Sequence, residues 1–372
     1  MHHTRTQVVL AGGGHAHLFV VSQAEAFRQA GAELTLIDPG MLWYSGMATG
    51  MLNGHYAPSE DTVDLAALCQ RCGVRFRKST MTSLDAKTKE VYTESGEAIS
   101  YDLLSLNLGS AVDSSKVDDP SGLAWPVKPI EGLAKLRTAL ENYVRRGRPC
   151  SVAVVGGGPT GAEIAANIDA LFKGSGVRAS ITILHGGDRL LTGFPERAAS
   201  TLSQLLGARG IEVRLRARVA RLEGSDERIR VARVDGQALQ FDEVVLATGL
   251  VPSPAISALG LGDTGLEVDA RLAWLEDETI FGAGDCISFV PRALPKVGVF
   301  GVREAPILKH NLLACVAGGE LKQYHPQEKF LIILNMGDGT GLALRGGWHW
   351  HGRLPFILKH FIDTRFLKQY QR

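Results

Sequence analysis

The chain has 372 residues, 45% of them hydrophobic and 21% charged, a balance that excludes intrinsic disorder and leaves room for two or more domains. A formal net charge of +1 lacks the basic excess of a nucleic-acid binder, so nucleic acid is not an expected partner. Five cysteines, odd in number and scattered at Cys69, Cys72, Cys150, Cys286 and Cys315, build no secreted disulfide framework and point to a reducing, cytoplasmic compartment.

Residues 7–12 read as a short apolar strand running into Gly12-Gly13-Gly14-His15-Ala16-His17. Leu18 to Ala30 then carries apolar residues at helical spacing, and Glu33 to Asp38 returns as a second strand. This order predicts a dinucleotide-binding unit. Asp38 lies 26 residues after Gly12, where a carboxylate accepts hydrogen bonds from adenosine ribose hydroxyls. His17 stands at the third glycine position and weakens this motif when it is read alone. The apolar stretch Leu18 to Val21 is too short for a signal-peptide core, and no run of about 18 apolar residues predicts a membrane-spanning helix.

Residues 41–56, which include Tyr44, are rich in glycine and aromatic residues and are expected to form a loop that wraps a flat ligand. Asp64 to Cys72 reads as a short helix. Strand-like pieces follow at 74–77, 89–93 and 102–107, the last ending in Asn107-Leu108-Gly109.

After Lys128-Pro129-Ile130 a helix is expected at about 131–146, and the strand Val152 to Val155 then opens into Gly156-Gly157-Gly158-Pro159-Thr160-Gly161. Gly156 allows a tight turn, Gly158 lets the backbone approach a pyrophosphate, and Gly161 lets the following helix pack on the strand. Amides at that helix N-terminus face the phosphates. Two such turns give two nucleotide sites and predict electron transfer between two nucleotides. The next strand ends in His185, 29 residues after Gly156, where a ribose-binding acid is expected. Without that carboxylate nothing disfavours a 2′-phosphate, so NADH and NADPH both stand as donors.

Residues 196–247 supply another helix and alternating strands that lead to Ala247-Thr248-Gly249. Glu278 to Cys286 is a strand ending in Gly282-Ala283-Gly284-Asp285, and Lys296 to Arg303 leads into a helix to about Ala317. Phe330 to Met336 and Thr340 to Arg345 read as a hairpin around Gly337-Asp338-Gly339. Trp348-His349-Trp350-His351 is either an edge strand or an interface belt. Arg353 to Lys368 places Leu354, Ile357, Leu358, Phe361 and Ile362 on one broad helical face, with Pro355 in its first turn. From Arg345 onward six basic residues, Arg372 included, face Asp363 alone, giving this tail +5 and the remainder −4. Such a segment suits peripheral docking on an anionic membrane surface, where a quinone is available; packing on its own chain or in a homodimer is the alternative. His15 and His17 do not complete a zinc ligand set, so no metal is expected.

The order of glycine turn with Asp38, Asn107-Leu-Gly109, second glycine turn, Ala247-Thr-Gly249 and Gly282-Ala-Gly-Asp285 closely resembles the pyridine nucleotide-disulfide oxidoreductase superfamily over nearly the whole chain. Gly-Gly-Gly-His-Ala-His, Tyr-Ser-Gly-Met, Val-Lys-Pro-Ile and Lys-Val-Gly-Val-Phe-Gly-Val-Arg resemble the branch found alone or fused ahead of selenide, water dikinase. The chain is also similar to type II NADH dehydrogenases and sulfide:quinone oxidoreductases. The resemblance implies an α/β fold of two Rossmann-like dinucleotide-binding domains, glutathione-reductase-like, with the second inserted in the first. The expected division is 1–120 and 250–320 for FAD, 121–249 for NAD(P)H, and 321–372 for a C-terminal hairpin and amphipathic helix. It implies FAD held by Gly12, Gly14 and Asp38 together with His15, Ala16, Tyr44, Asn107, Gly109, Gly284 and Asp285. Gly298, Val299 and Phe300 fall near the isoalloxazine ring. NADH or NADPH falls on Gly156, Gly158, Pro159, Thr160, Gly161, His185 and Gly249, with Glu163 close to the nicotinamide as the catalytic candidate.

Thiol-disulfide chemistry requires a cysteine pair facing the flavin, and neither usual place contains one. Leu42 to Leu52 is cysteine-free, and the second domain's only thiol is Cys150. Cys69-Gln-Arg-Cys72 lies on a short helix outside those positions. Cys286 and Cys315 do not match the pair of the sulfide-oxidising relatives. The expected function is an FAD-dependent NAD(P)H oxidoreductase without a redox-active disulfide, passing electrons to a quinone-like or other small acceptor. A sulfide:quinone-type oxidoreductase, and a redox-responsive flavoprotein acting through a protein partner in selenium metabolism, are the alternatives.

Overall fold

Two five-stranded parallel sheets of the same design carry the two glycine turns. The computed structural model describes residues 5–225, 228–233 and 236–371, so Arg372 of the basic tail lies outside it. In the first sheet the order is Ile280–Gly282, Leu103–Leu106, Thr6–Ala11, Ala32–Asp38 and Arg75–Lys78. In the second it is Trp125–Pro126, Glu243–Leu246, Cys150–Val155, Ala179–Leu184 and Glu212–Arg214. Parallel strands covered on both faces must be apolar throughout, which is why Val8, Val9 and Leu10 and then Val152, Ala153 and Val154 are all buried without alternation.

The first sheet draws its last strand, Ile280–Gly282, from beyond the second sheet in sequence. Where the chain leaves the first unit and where it returns, Ser110–Val112 pairs antiparallel with Leu250–Pro252. On this ground we propose the division into 1–120, an inserted 121–249, 250–320 and a C-terminal 321–372. The C-terminal part is an antiparallel sheet of Ile332–Asn335, Gly341–Arg345 and Trp348–Gly352, followed by the helix Arg353–Gln371. The Trp-His-Trp-His run is thus the edge strand of that sheet.

Two local expectations change. The segment 41–56 is not an open loop: Met41–Trp43 pairs with Thr62–Asp64, Ala48–Leu52 is helical, and Met47, Met51 and Leu52 are core residues. Arg137, on the helix Glu131–Arg145, fixes this segment by donating to the Met51 carbonyl at 2.9 Å and the Tyr56 carbonyl at 3.2 Å. The helical stretch after the first turn starts at His15 and splits into His15–Ser22 and Ala24–Gln29. At the break the Ser22 hydroxyl donates to the Phe19 carbonyl at 2.7 Å, a side-chain bond that competes with the backbone ladder.

Arg137→Ala removes both carbonyl contacts and leaves their acceptors exposed to competition from the core. A loss of about 1–3 kcal/mol is expected, read as a lower midpoint in urea denaturation followed by tryptophan fluorescence.

Candidate active site

Each turn is made possible by one glycine. Gly12 has φ +87° and a Cβ there would lie 2.5 Å from the Asn107 carbonyl oxygen; Gly156 has φ +125° and a Cβ would lie 2.1 Å from that of Ala247. A side chain is excluded both by conformation and by space. One turn further on, a Cβ at Gly161 would lie 2.0 Å from the Gly156 carbonyl oxygen. His17 stands at the corresponding place in the first unit and does not weaken it. Its Nδ1 donates to the Gly12 carbonyl at 2.6 Å and its Nε2 accepts from the Ser105 hydroxyl at 2.8 Å. The exchange is paired: Ser105 sits opposite Leu10, where the second unit has Val245 opposite Val154. Burial pushes the His17 imidazole down to about 4, so the ring is neutral and its two bonds use the neutral tautomer.

Beside the first turn lies a cavity of about 520 Å³, lined by Gly12, Gly14, Asp38, Asn107, Gly109 and Lys128 among others. Asp38 Oδ2 accepts from the Gly13 amide at 2.7 Å and Oδ1 from the Gly40 amide at 2.8 Å, which fixes the carboxylate at the cavity wall. Asn107 joins two elements. Its Oδ1 accepts from the Ala16 amide at 3.1 Å and its Nδ2 donates to the Ala283 carbonyl at 2.6 Å. The Ala16 amide is therefore committed to Asn107. Asp285 accepts from Ser110 Oγ at 2.8 Å, and the Gly284 amide donates to the buried Glu304 carboxyl at 2.5 Å. Burial pushes Glu304 up to about 7.

The helix Gly298–Ala317 begins beside His15: a Cβ at Gly298 would lie 3.5 Å from His15 Cε1. His15 packs on Tyr44 and Phe366, with ring centroids at 5.4 and 5.5 Å. Burial, with the Lys128 charge adding to it, pushes His15 down to about 4. Val299 is half-buried in the first turn, the Phe300 ring packs edge-on against Phe330, and the Phe300 amide donates to the Val297 carbonyl at 3.0 Å. A backbone turn free of side chains, a fixed acid for the ribose and a half-buried lysine at the cavity fit FAD. Gly12, Gly14, Asp38, Lys128 and Asp285 would hold it.

The second turn borders a cavity of about 500 Å³, lined by Gly156, Gly158, Pro159, His185, Arg218 and Gly249 among others. A Cβ at Gly158 would meet nothing within 4 Å, so this glycine opens the backbone to the cavity, while Gly161 is buried in the packing contact. Thr160 is exposed, and Gly249 has φ +117°.

Glu163 connects three parts of the chain. Its Oε1 accepts from Thr49 Oγ1 at 2.9 Å and from the Asn335 amide at 2.8 Å. Burial raises its pKa, opposed first by the charge of Lys359. Lys359 and Asp363, on the inner side of the C-terminal helix, form an ion pair at 2.8 Å, and Asp363 also accepts from the Tyr44 hydroxyl at 2.9 Å. Asp61 is fully buried near this pair with neither carboxyl oxygen hydrogen-bonded. Burial, and then the Asp363 charge, push it up to about 8. Sequence reasoning missed Lys128, Asp61 and the Lys359–Asp363 pair. A signal existed for the last, since Asp363 is the only acid of the basic tail.

Residues 6–305 match the profile of the Pyridine nucleotide-disulphide oxidoreductase family. The chain belongs to this family. It is an FAD-dependent NAD(P)H oxidoreductase. The probable ferredoxin reductase CtmF of Castellaniella defragrans is 30% identical over 319 residues, covering 81% of this chain and 72% of that protein. The demethylphylloquinone reductase NdbB of a Synechocystis species is 24% identical, covering 92% and 89%. Among solved structures, the sulfide:quinone oxidoreductase of Aquifex aeolicus superposes with a TM-score of 0.83 at 16% identity, covering 98% of this chain and 91% of that one, and so shares the fold. The likeness to the branch fused to selenide, water dikinase rests on the quoted motifs alone.

Asp61 supplies a pH test. Its folded pKa lies above the 3.8 of an ordinary aspartate, so its contribution to stability is complete below that value and is lost as the pH rises through about 8. The melting temperature of the wild type should therefore fall between pH 5 and 8 relative to that of Asp61→Asn. Parallel melting curves for the two proteins over that range would remove Asp61 as the responsible group.

Proposed function

We propose that this oxidoreductase delivers electrons to a quinone at an anionic membrane surface on which the helix Arg353–Gln371 lies. The observation that carries the reading is the outer face of that helix. Leu354, Ile357 and Phe361 are 59%, 57% and 56% exposed, with Leu358, Ile362 and the edge-strand Trp348 and Trp350 beside them. Apolar exposure on this scale marks a docking surface. Arg353, Arg365 and Lys368 on the same helix supply charge for anionic headgroups, and tryptophans suit the interface. Among the described residues no helix is long and apolar enough to cross a membrane, so docking would be peripheral. The demethylphylloquinone reductase relative supports a quinone as the acceptor.

In this reading NAD(P)H binds at the second turn and FAD at the first, where its ring would accept the hydride. The chain's own residues bind and orient the two nucleotides, since hydride transfer requires contact geometry rather than a strong acid. Reducing a quinone to a quinol takes two electrons and two protons, so one proton beyond the hydride must enter. Glu163, Asp61 and the Lys359–Asp363 pair lie on the inner side of the docking helix, where such a proton can be held. Thiol chemistry finds little support. Burial pushes both Cys69 and Cys286 up to about 12, which keeps them as thiols at neutral pH. This weighs against sulfide oxidation.

Anaerobic NADH or NADPH should bleach the flavin absorbance. In a Leu354→Ser, Ile357→Ser, Phe361→Ser variant, co-sedimentation with phosphatidylglycerol vesicles should weaken by more than about tenfold. Reduction of the soluble acceptor ferricyanide should persist. Unchanged vesicle binding would sink the membrane reading, and a dimer in gel filtration that the variant abolishes would assign the face to a second copy of the chain.

A further inference from the structure

We infer that the second nucleotide site selects NADPH, with the His185 imidazole and the Arg218 guanidinium recognising its adenosine 2′-phosphate. The inference rests on the donor role assigned above to the Gly156–Gly161 turn. It follows from comparing the two turns atom by atom.

At the end of the second strand of the first unit, Asp38 accepts the Gly13 amide at 2.7 Å. At the same place in the second unit the Gly157 amide donates to His185 Nδ1 at 3.1 Å. Because an N–H donates to Nδ1, that nitrogen is unprotonated and the neutral ring carries its hydrogen on Nε2. Burial lowers the His185 pKa, which favours that neutral form. A carboxylate at this position offers only acceptors and repels a phosphate. His185 fills the same backbone role and presents a donor instead.

The ring is held in place by the two glycines that flank it. A Cβ at Gly157 would lie 2.6 Å from His185 Cγ, and one at Gly187 would lie 2.7 Å from Nε2. Either side chain would displace the imidazole. The ring also meets the Arg189 backbone, and Nε2 lies 3.4 Å from Thr192 Oγ1, a long contact that a phosphate oxygen readily replaces.

Arg218 supplies the charge. It is exposed, lines the same cavity of about 500 Å³, and lies along the loop after His185, with Cβ and Cγ 3.6 Å from where a Cβ on Gly186 would stand. Two other cations nearby are engaged. Arg189 donates to the Leu191 and Thr192 carbonyls at 3.0 and 2.8 Å, and Lys116 pairs with Asp113 at 3.2 Å. Asp188, the acid of this loop, does not line the cavity, although its charge reaches the His185 imidazole. An imidazole donor and a guanidinium that is unengaged among the described residues match a phosphate, whose bonds to them are charge-assisted, better than a ribose hydroxyl.

Calorimetric titration of the FAD-loaded full chain with adenosine 2′,5′-bisphosphate and with AMP tests this without turnover. The bisphosphate should bind more tightly by about tenfold or more. Arg218→Ala should remove most of that difference. His185→Glu, which keeps an acceptor for the Gly157 amide, should reverse it. Equal affinity of the wild type for the two probes, or a difference unchanged in both variants, overturns the inference. Anaerobic bleaching separates it from the reading beneath it. A flavin that neither NADPH nor NADH bleaches contradicts the oxidoreductase reading, whereas one that NADH bleaches as readily as NADPH contradicts the selectivity alone.

Discussion

The approach of a strand-end carbonyl to the first glycine of a turn is the constraint on which both nucleotide sites depend. At Gly12 the carbonyl belongs to Asn107, and at Gly156 to Ala247, each ending the strand beside the one that runs into the turn. Because no Cβ fits, each turn is placed against its neighbour by backbone alone, and the helix that follows inherits that position. The difference between the two carbonyl owners then matters. Asn107 has a carboxamide that bonds to the Ala16 amide and the Ala283 carbonyl, tying helix, strand and Gly-Asp loop together. Ala247 has no such reach. A turn tied by Asn107 to its helix and to the Gly-Asp loop suits a resident cofactor, and one held by a side chain only at His185 suits a nucleotide that must exchange at every turnover.

The C-terminal helix meets two opposite environments, and its sequence reconciles them. Its outer residues leave apolar surface uncovered, while Lys359 and Asp363 point inward to the Tyr44 hydroxyl and toward Glu163. Placing charges on the inner side of an amphipathic helix costs desolvation, which only pairing offsets. Lys359 and Asp363 are paired, and Glu163 is hydrogen-bonded by Thr49 and Asn335. Asp61 has no such partner, which is why its carboxyl shifts so far toward the protonated form.

Much of the architecture was legible because it depends on local rules. Unbroken aliphatic strands ending in glycine specify the two units, and the apolar spacing of Leu354 to Ile362 specifies the helix face. What the sequence hid depends on partners far along the chain. His17 looked like a defect because its compensation, Ser105, lies in another strand. Residues 41–56 have the composition of a loop, yet Arg137 and the core around Met47 and Met51 give them regular structure. The edge-on packing of Phe300 on Phe330 likewise joins residues thirty positions apart. Lys128 was visible only as part of a motif, since its place at the wall of the first cavity is a property of the fold.

The charges around the first cavity have a direction. Burial lowers the pKa of Lys128, although the nearby Asp285 charge opposes the shift, and His15 is held neutral. The helix Gly298–Ala317 brings its N-terminal end to His15, adding the partial positive charge of unpaired amides without adding a titratable group. Glu304 lies within that helix, but burial moves it toward its neutral form, so it opposes that field less than an exposed carboxylate would. At its N-terminal end the helix thus favours negative charge on a bound group, and it does so with a fixed dipole whose effect does not wait on a proton. In the proposed reading such an end would favour accepting a hydride from the neighbouring nucleotide and would leave proton uptake to the separate acids beneath the C-terminal helix.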